Sequence, residues 1–136
     1  MSNYEPEKSR TVTTDNNREA TISPAYPEWY LQRGLRVADL MISVDKGKTS
    51  EVSMQIFNDN RNIVFVTGRI NTNANAIAQV YYTDSVMLRD TIESIRSIPY
   101  VTRVEFAEVV EIYGRKSDKQ IEEDSTKLLN SSGRNR

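Results

Sequence analysis

The sequence contains no histidine and no cysteine. Their absence removes imidazole acid–base chemistry, thiol nucleophiles, disulfides and nearly all zinc, haem and iron–sulfur ligation. The chain also lacks an excess of either charge, since 18 Lys and Arg oppose 19 Asp and Glu over 136 residues. No global basic field draws it onto nucleic acid or an anionic membrane. Apolar runs fall short of the roughly 20 residues of a membrane span, and the start carries Glu5, Glu7 and Asp15 rather than a basic, then apolar, leader. The expectation is a cytoplasmic protein with one hydrophobic core.

Residues 1–23 hold little that could be buried and read as a disordered arm. The stretch 24–34 differs. Two prolines preset its path, and Tyr26, Trp29, Tyr30 and Leu31 give it an apolar payload suited to docking. Residues 35–116 are dense in Val, Ile, Met and aromatics and form the expected domain. The polar tail 117–136 reads as disordered or, over 119–129, as a marginal helix.

Within the domain the period of the apolar pattern switches repeatedly. Leu35–Asp45 is a mostly buried strand, stopped by Lys46-Gly47-Lys48. Thr49 or Ser50 caps a short helix carrying Val52, Ile56 and Phe57. Asn62–Ile70 and Ala76–Thr83 are β-branched and aromatic strands separated by an asparagine-rich loop. Asp84 caps a helix striped by Leu88, Ile92, Ile95 and Ile98, on which Arg89 and Glu93 stand at pairing distance, and Pro99 ends it. Val101–Tyr113 is the last strand. The order β-α-β-β-α-β predicts an α+β, ferredoxin-like fold, a four-stranded antiparallel sheet with two helices on one face.

Helices cover one face only, yet the strands carry apolar residues on both. A second copy is the economical cover, so a sheet-to-sheet homodimer is expected. Glu105, Glu108 and Glu111 alternate in face and do not converge as an acid–base dyad, so they read as edge-strand charges. No catalytic residue, metal site or cofactor site is expected. Arg33–Arg36 and Arg115–Lys119 form no stripe, no helix-turn-helix pattern is present, and Tyr81-Tyr82 lacks the signature of RNA-binding sheets. No direct contact with nucleic acid or membrane is expected.

The stretch Thr67–Asn75 supplies groups for a small zwitterion. Gly68 allows close backbone approach, Arg69 can clamp a carboxylate, and Asn71, Asn73 and Asn75 both donate and accept. The same residues equally suit a plain hairpin loop.

From about Leu35 to Lys116 the sequence resembles the ligand-binding and oligomerisation (RAM) domain of the Lrp/AsnC regulators. The carriers are VDKGK (Val44–Lys48), VFVTGRIN (Val64–Asn71), AIAQVYYTDSVMLRDTI (Ala76–Ile92) and SIPYVTRVEFAEVVE (Ser97–Glu111). The resemblance implies sheet-mediated dimers, higher rings, and an amino-acid-like effector held between subunits. Its site would comprise Gly68, Arg69, Ile70, Asn71 and Asn73, with Asp84 and Ser85 as neighbours. Tyr100, Val101, Val104, Phe106 and Val109 are the expected dimer interface. Asn71 stands where the family usually has aspartate, and Tyr100 where it usually has glycine, so the turn at Tyr100 is expected to need no left-handed backbone. The polar residues before Leu35 are too few for a helix-turn-helix domain. The chain is therefore expected to be a stand-alone effector domain that can also pair with full-length Lrp/AsnC regulators. Rival readings are a ligand-free oligomerisation module and a small ferredoxin-like dimeric enzyme.

Overall fold

A computed structural model describes residues 11–13 and 19–131. The chain divides into two units, 24–110 and the two flanks 1–23 with 111–136.

In the flanking unit, β1 (Thr11–Thr13) and β2 (Glu19–Thr21) pair antiparallel, so the arm read as disordered contains a short ladder. The rest of that expectation, residues 1–10 and 14–18, lies outside the described residues. The tail forms a 14-residue helix, which we label α4 (Asp118–Ser131). The last five residues of the expected tail, 132–136, also lie outside the description.

The central unit begins with the five-residue α1 (Pro27–Leu31) and continues as β3 (Arg36–Val44), α2 (Thr49–Asp59), β4 (Ile63–Gly68), β5 (Ala76–Tyr82), α3 (Ser85–Arg96) and β6 (Val101–Val109). The strands form one antiparallel sheet in the order β4-β5-β3-β6. From β3 onward this is the βαββαβ, ferredoxin-like arrangement. Asp84 caps α3 by accepting the Met87 N–H at 2.9 Å. The turn entering α2 works differently, with Lys48 at the cap position and no side-chain bond there. On α3, Glu93 pairs with Arg96 at 2.9 Å rather than with Arg89. That i,i+3 pair also sets a cation in the last turn, where the helix dipole favours it.

One face of the sheet presents Ala38, Leu40, Ile42 and Val44 of β3 with Ala76, Ala78, Val80 and Tyr82 of β5. These pack with Val52 and Ile56 of α2 and with Leu88, Ile92 and Ile95 of α3. Val104 belongs to this core, and Val101 packs against it. Phe106 lies opposite Leu40, so it projects to the same side. Three residues expected at a sheet-face interface therefore point toward the helices. Alternation told the two faces of β6 apart without saying which one the helices cover. An irregularity between Ser43 and Val44 then inserts an extra residue and turns Val101 to the core side. Val109 alone of the expected β6 interface strand residues lies on the open face, opposite Val37. The strand ends at Val109, four residues short of Tyr113.

The open face is mixed. Val37 is fully buried there, and α1 packs on β3 beside it, with Tyr30 stacked on Tyr81 at 4.7 Å and 14°. Toward the other end lie Met41 and Ile77, and across the middle rung lie Phe65 and Ala107, all four at least partly exposed. Between them Gln79 donates to Asp39 at 3.0 Å.

Tyr100 adopts φ +78°, the left-handed region. The expectation that a tyrosine rules out this backbone is therefore corrected. Tyr100 holds the conformation because its carbonyl accepts the Asp45 N–H at 2.9 Å and the Lys48 ammonium sits 4.7 Å from its ring centre. A side chain at this φ costs about 1–2 kcal/mol that glycine avoids. Tyr100→Gly is accordingly expected to be about 1 kcal/mol more stable than Tyr100→Ala in urea unfolding, because alanine keeps the strain while both lose the ring.

Candidate functional site

The loop joining β4 to β5 carries most of the expected ligand residues. Gly68 closes β4 opposite Ala76 and lies in open space with an ordinary φ. Its role is thus not conformational. Arg69 donates its N–H to the Asn75 carbonyl at 3.0 Å, and its Nε reaches the Thr67 hydroxyl at 3.1 Å, which orients the guanidinium at the strand end. Ile70 is 85% exposed, Asn71 has φ +60°, and Asn73 is exposed. Asparagine tolerates that φ well, which explains its place in the turn.

Asn75 turns out to be structural. Its Oδ1 accepts the Val44 N–H at 2.8 Å, and its Nδ2 donates to the Val44 carbonyl at 2.8 Å and to the Thr49 hydroxyl at 3.1 Å. One amide thus does for the end of β3 what another strand residue would do. Asn75→Ala leaves both backbone groups of Val44 without these partners in a partly buried place. A loss of about 2 kcal/mol is expected, read as a lower urea midpoint with unchanged slope.

Asp84 and Ser85 lie elsewhere. Asp84 comes two residues after Tyr82, which pairs with Arg36 at the start of β3, whereas Gly68 pairs with Ala76, which in turn pairs with Ile42 near the end of β3. Six residue steps along β5 at roughly 3.3 Å each separate the two groups by about 20 Å. The chain does not bring the two halves of the expected site together. Asp84 instead lines an open cleft of ≈ 390 Å³ with Asn60, Thr83, Met87 and Asp90. Its carboxylate is already engaged as the α3 cap.

At this same end the structure assembles a cluster that the sequence did not reveal. Glu108 Oε2 accepts from Arg36 Nε and from the Tyr82 hydroxyl, each at 2.7 Å. The Arg36 guanidinium stands 5.6 Å from the Tyr82 ring centre. Donation by Arg36, then by Tyr82, holds the Glu108 carboxyl below its usual range. Burial, reinforced by Glu108, pushes the Tyr82 hydroxyl up to about 12. Tyr82 therefore stays a donor and Glu108 an acceptor across neutral pH, which makes the cluster a fixed clamp between β3, β5 and β6. Arg36 and Glu108 are 72 positions apart. Only the strand register, which sets Arg36 against Tyr82 and Ala38 against Glu108, joins them.

No protein-family model matches the chain, and no curated protein does. Solved structures do match in fold. AsnC of E. coli superposes with a TM-score of 0.56 at 14% identity, over 74% of this chain and 65% of its own length. The Neisseria meningitidis transcriptional regulator NMB0573, solved with L-methionine, gives 0.55 at 15% identity over 72% and 61%. TTHA0845 of Thermus thermophilus gives 0.53 at 20% identity and is covered over 99% of its length by 59% of this chain. The chain thus spans less than two thirds of the two regulators. What it shares with them is the βαββαβ, ferredoxin-like fold.

Proposed function

We propose that the chain is an effector-binding and oligomerisation domain of transcription-regulator type, working as a dimer or larger ring whose open sheet faces meet. The observation that carries this reading is the apolar patch left on the open face, where Met41 and Ile77 are half-buried and Phe65 is 37% exposed. Gln79 sits beside them, only 8% exposed, with its Nε2 donating to the Asp39 carboxylate. A second copy would cover Met41, Ile77 and Phe65, and removal of that apolar area from water favours the contact.

The effector reading follows from the 20 Å separation. A small zwitterion needs a cation for its carboxylate and a carboxylate for its ammonium. Arg69 and Asp84 are at opposite ends of one sheet. A composite site, with the Gly68–Asn73 loop of one copy facing the Asp84–Ser85 turn of another, is the arrangement in which they serve one ligand. Binding would then favour the assembly that creates the site. The likeness to a regulator solved with L-methionine makes amino acids the first ligands to test.

Thermal shift with the twenty amino acids tests it. A ligand at a hundred times its dissociation constant stabilises the native state by about 2.7 kcal/mol, and Arg69→Ala should abolish that shift. If no amino acid raises the melting temperature while light scattering still finds an oligomer, the domain is an assembly module without an effector. The structural duty of Asn75 favours that second reading, since one of the amides counted toward a ligand is already committed. In either form, pairing with full-length Lrp/AsnC regulators through the same face is part of the proposal, and mixing experiments with such a regulator would test it.

A further inference from the structure

The open face already has one occupant, a segment of the chain itself. α1 lies over the first residues of β3, where Val37 is fully buried and pairs in register with Tyr81. It is tied to the sheet by the Tyr30 ring stacked on Tyr81, and Tyr30 is its one buried residue. Two other ring contacts, Trp29 against Tyr30 at 5.0 Å and Arg33 over Trp29 at 3.9 Å, stay within the segment and travel with it. The helix has five residues and no side-chain bond at its N-cap. A helix this short does not hold without its seat. Gly34 joins it to β3 at φ +82°, a backbone that other residues avoid, and no atom lies within 4 Å of where its Cβ would stand. Elements with so little buried are the first to open.

We infer that α1 is an autoinhibitory strap, which hinges at Gly34, covers part of the dimer face and tightens the dimer when it lifts. A helix with its side chains is about 10–12 Å across. That fills the roughly 10 Å between two packed sheets. With α1 seated, a partner sheet can therefore rest only on the part of the face that holds Met41, Ile77 and Phe65. With α1 lifted, Val37 and Tyr81 join that surface, and the apolar area that two copies take out of water grows. Lifting bares Val37 to water in a lone chain but not in a dimer. Pairing therefore favours the lifted form, and the apparent dissociation constant depends on how often the strap lifts. The strap rests on the face-to-face reading above, and it places control of assembly in residues outside both halves of the effector site.

The test is the dimer dissociation constant of the full chain, from sedimentation equilibrium over a dilution series, with Gly34→Ala and Tyr30→Ala beside wild type. Gly34→Ala puts its methyl into open space but strains the seated backbone, which disfavours seating roughly tenfold. Tyr30→Ala removes the stack itself. Trp29 is the only tryptophan and reports the seat, so its emission should move to longer wavelength in both variants. Their dissociation constants should fall about tenfold below wild type, because the lifted form becomes more populated. A dimer whose constant is unchanged or raised in Gly34→Ala, the milder variant, would overturn the strap and leave the face-to-face reading intact. A chain that stays monomeric in wild type and in both variants would overturn the face-to-face reading and the strap with it.

Discussion

Ile77→Glu is expected to dismantle the assembly to monomers at micromolar concentration while leaving the fold standing. Ile77 is half-buried on the open face, between Met41 on β3 and Thr67 on β4, and is not part of the core under the helices. In the monomer a glutamate there keeps access to water. In a face-to-face dimer the two-fold axis buries two such carboxylates. Burial of a polar group without a partner costs at least about 2 kcal/mol, and a charge costs more. Two copies cost roughly 4 kcal/mol, close to a thousandfold in the dissociation constant at 1.4 kcal/mol per tenfold. Sedimentation velocity reads the mass and far-UV circular dichroism reads the fold. An unchanged oligomer would show that the contact lies elsewhere.

Leu40→Ala has the largest expected effect on the fold itself. Leu40 is fully buried at the middle of β3, between Ala78 of β5 and Phe106 of β6. The neighbours across β5 and along β3 are small alanines or rigid β-branched residues, so the space left by the lost side chain has little means of closing. Truncation of a buried leucine costs about 2–5 kcal/mol, the upper part where the site stays open, so we expect about 4 kcal/mol. Domains of this size hold about 5–15 kcal/mol in total. The variant should therefore be close to its unfolding midpoint at physiological temperature. Urea titration should show a much lower midpoint with the slope preserved. A change below 1 kcal/mol would mean that the helix-covered face is not the core.

The alternation of elements was legible because each has a strong local signature. The Asp84 cap, the Leu88–Ile92–Ile95 stripe and Pro99 bound α3 almost to the residue. The β-branched runs marked all four strands of the sheet. What was not legible depends on contacts distant in sequence. Val104 and Phe106 were placed at an interface because alternation gives two faces without saying which one the helices choose. Val101 moved because a bulge changes parity with no mark in composition. Tyr100 takes a backbone that its residue type disfavours, held by Asp45 and by Lys48, some fifty positions earlier. The loop residues of the candidate site were found, but Asn75 proved to brace Val44, and the distance between Gly68 and Asp84 emerged only once β5 was seen running between them. Gln79, a polar residue buried in the middle of the open face, gives no signal in sequence. A glutamine in a strand looks like any solvent-facing residue until its burial is known.

Whether the open face meets a second copy is decided most directly by the mass of the full chain in solution. Sedimentation equilibrium in the tens of micromolar should find no major species below twice 15.6 kDa. A single species of 15.6 kDa under those conditions would contradict the account, because Met41, Ile77 and Phe65 would then stay open to water, and the two halves of the effector site would never come together.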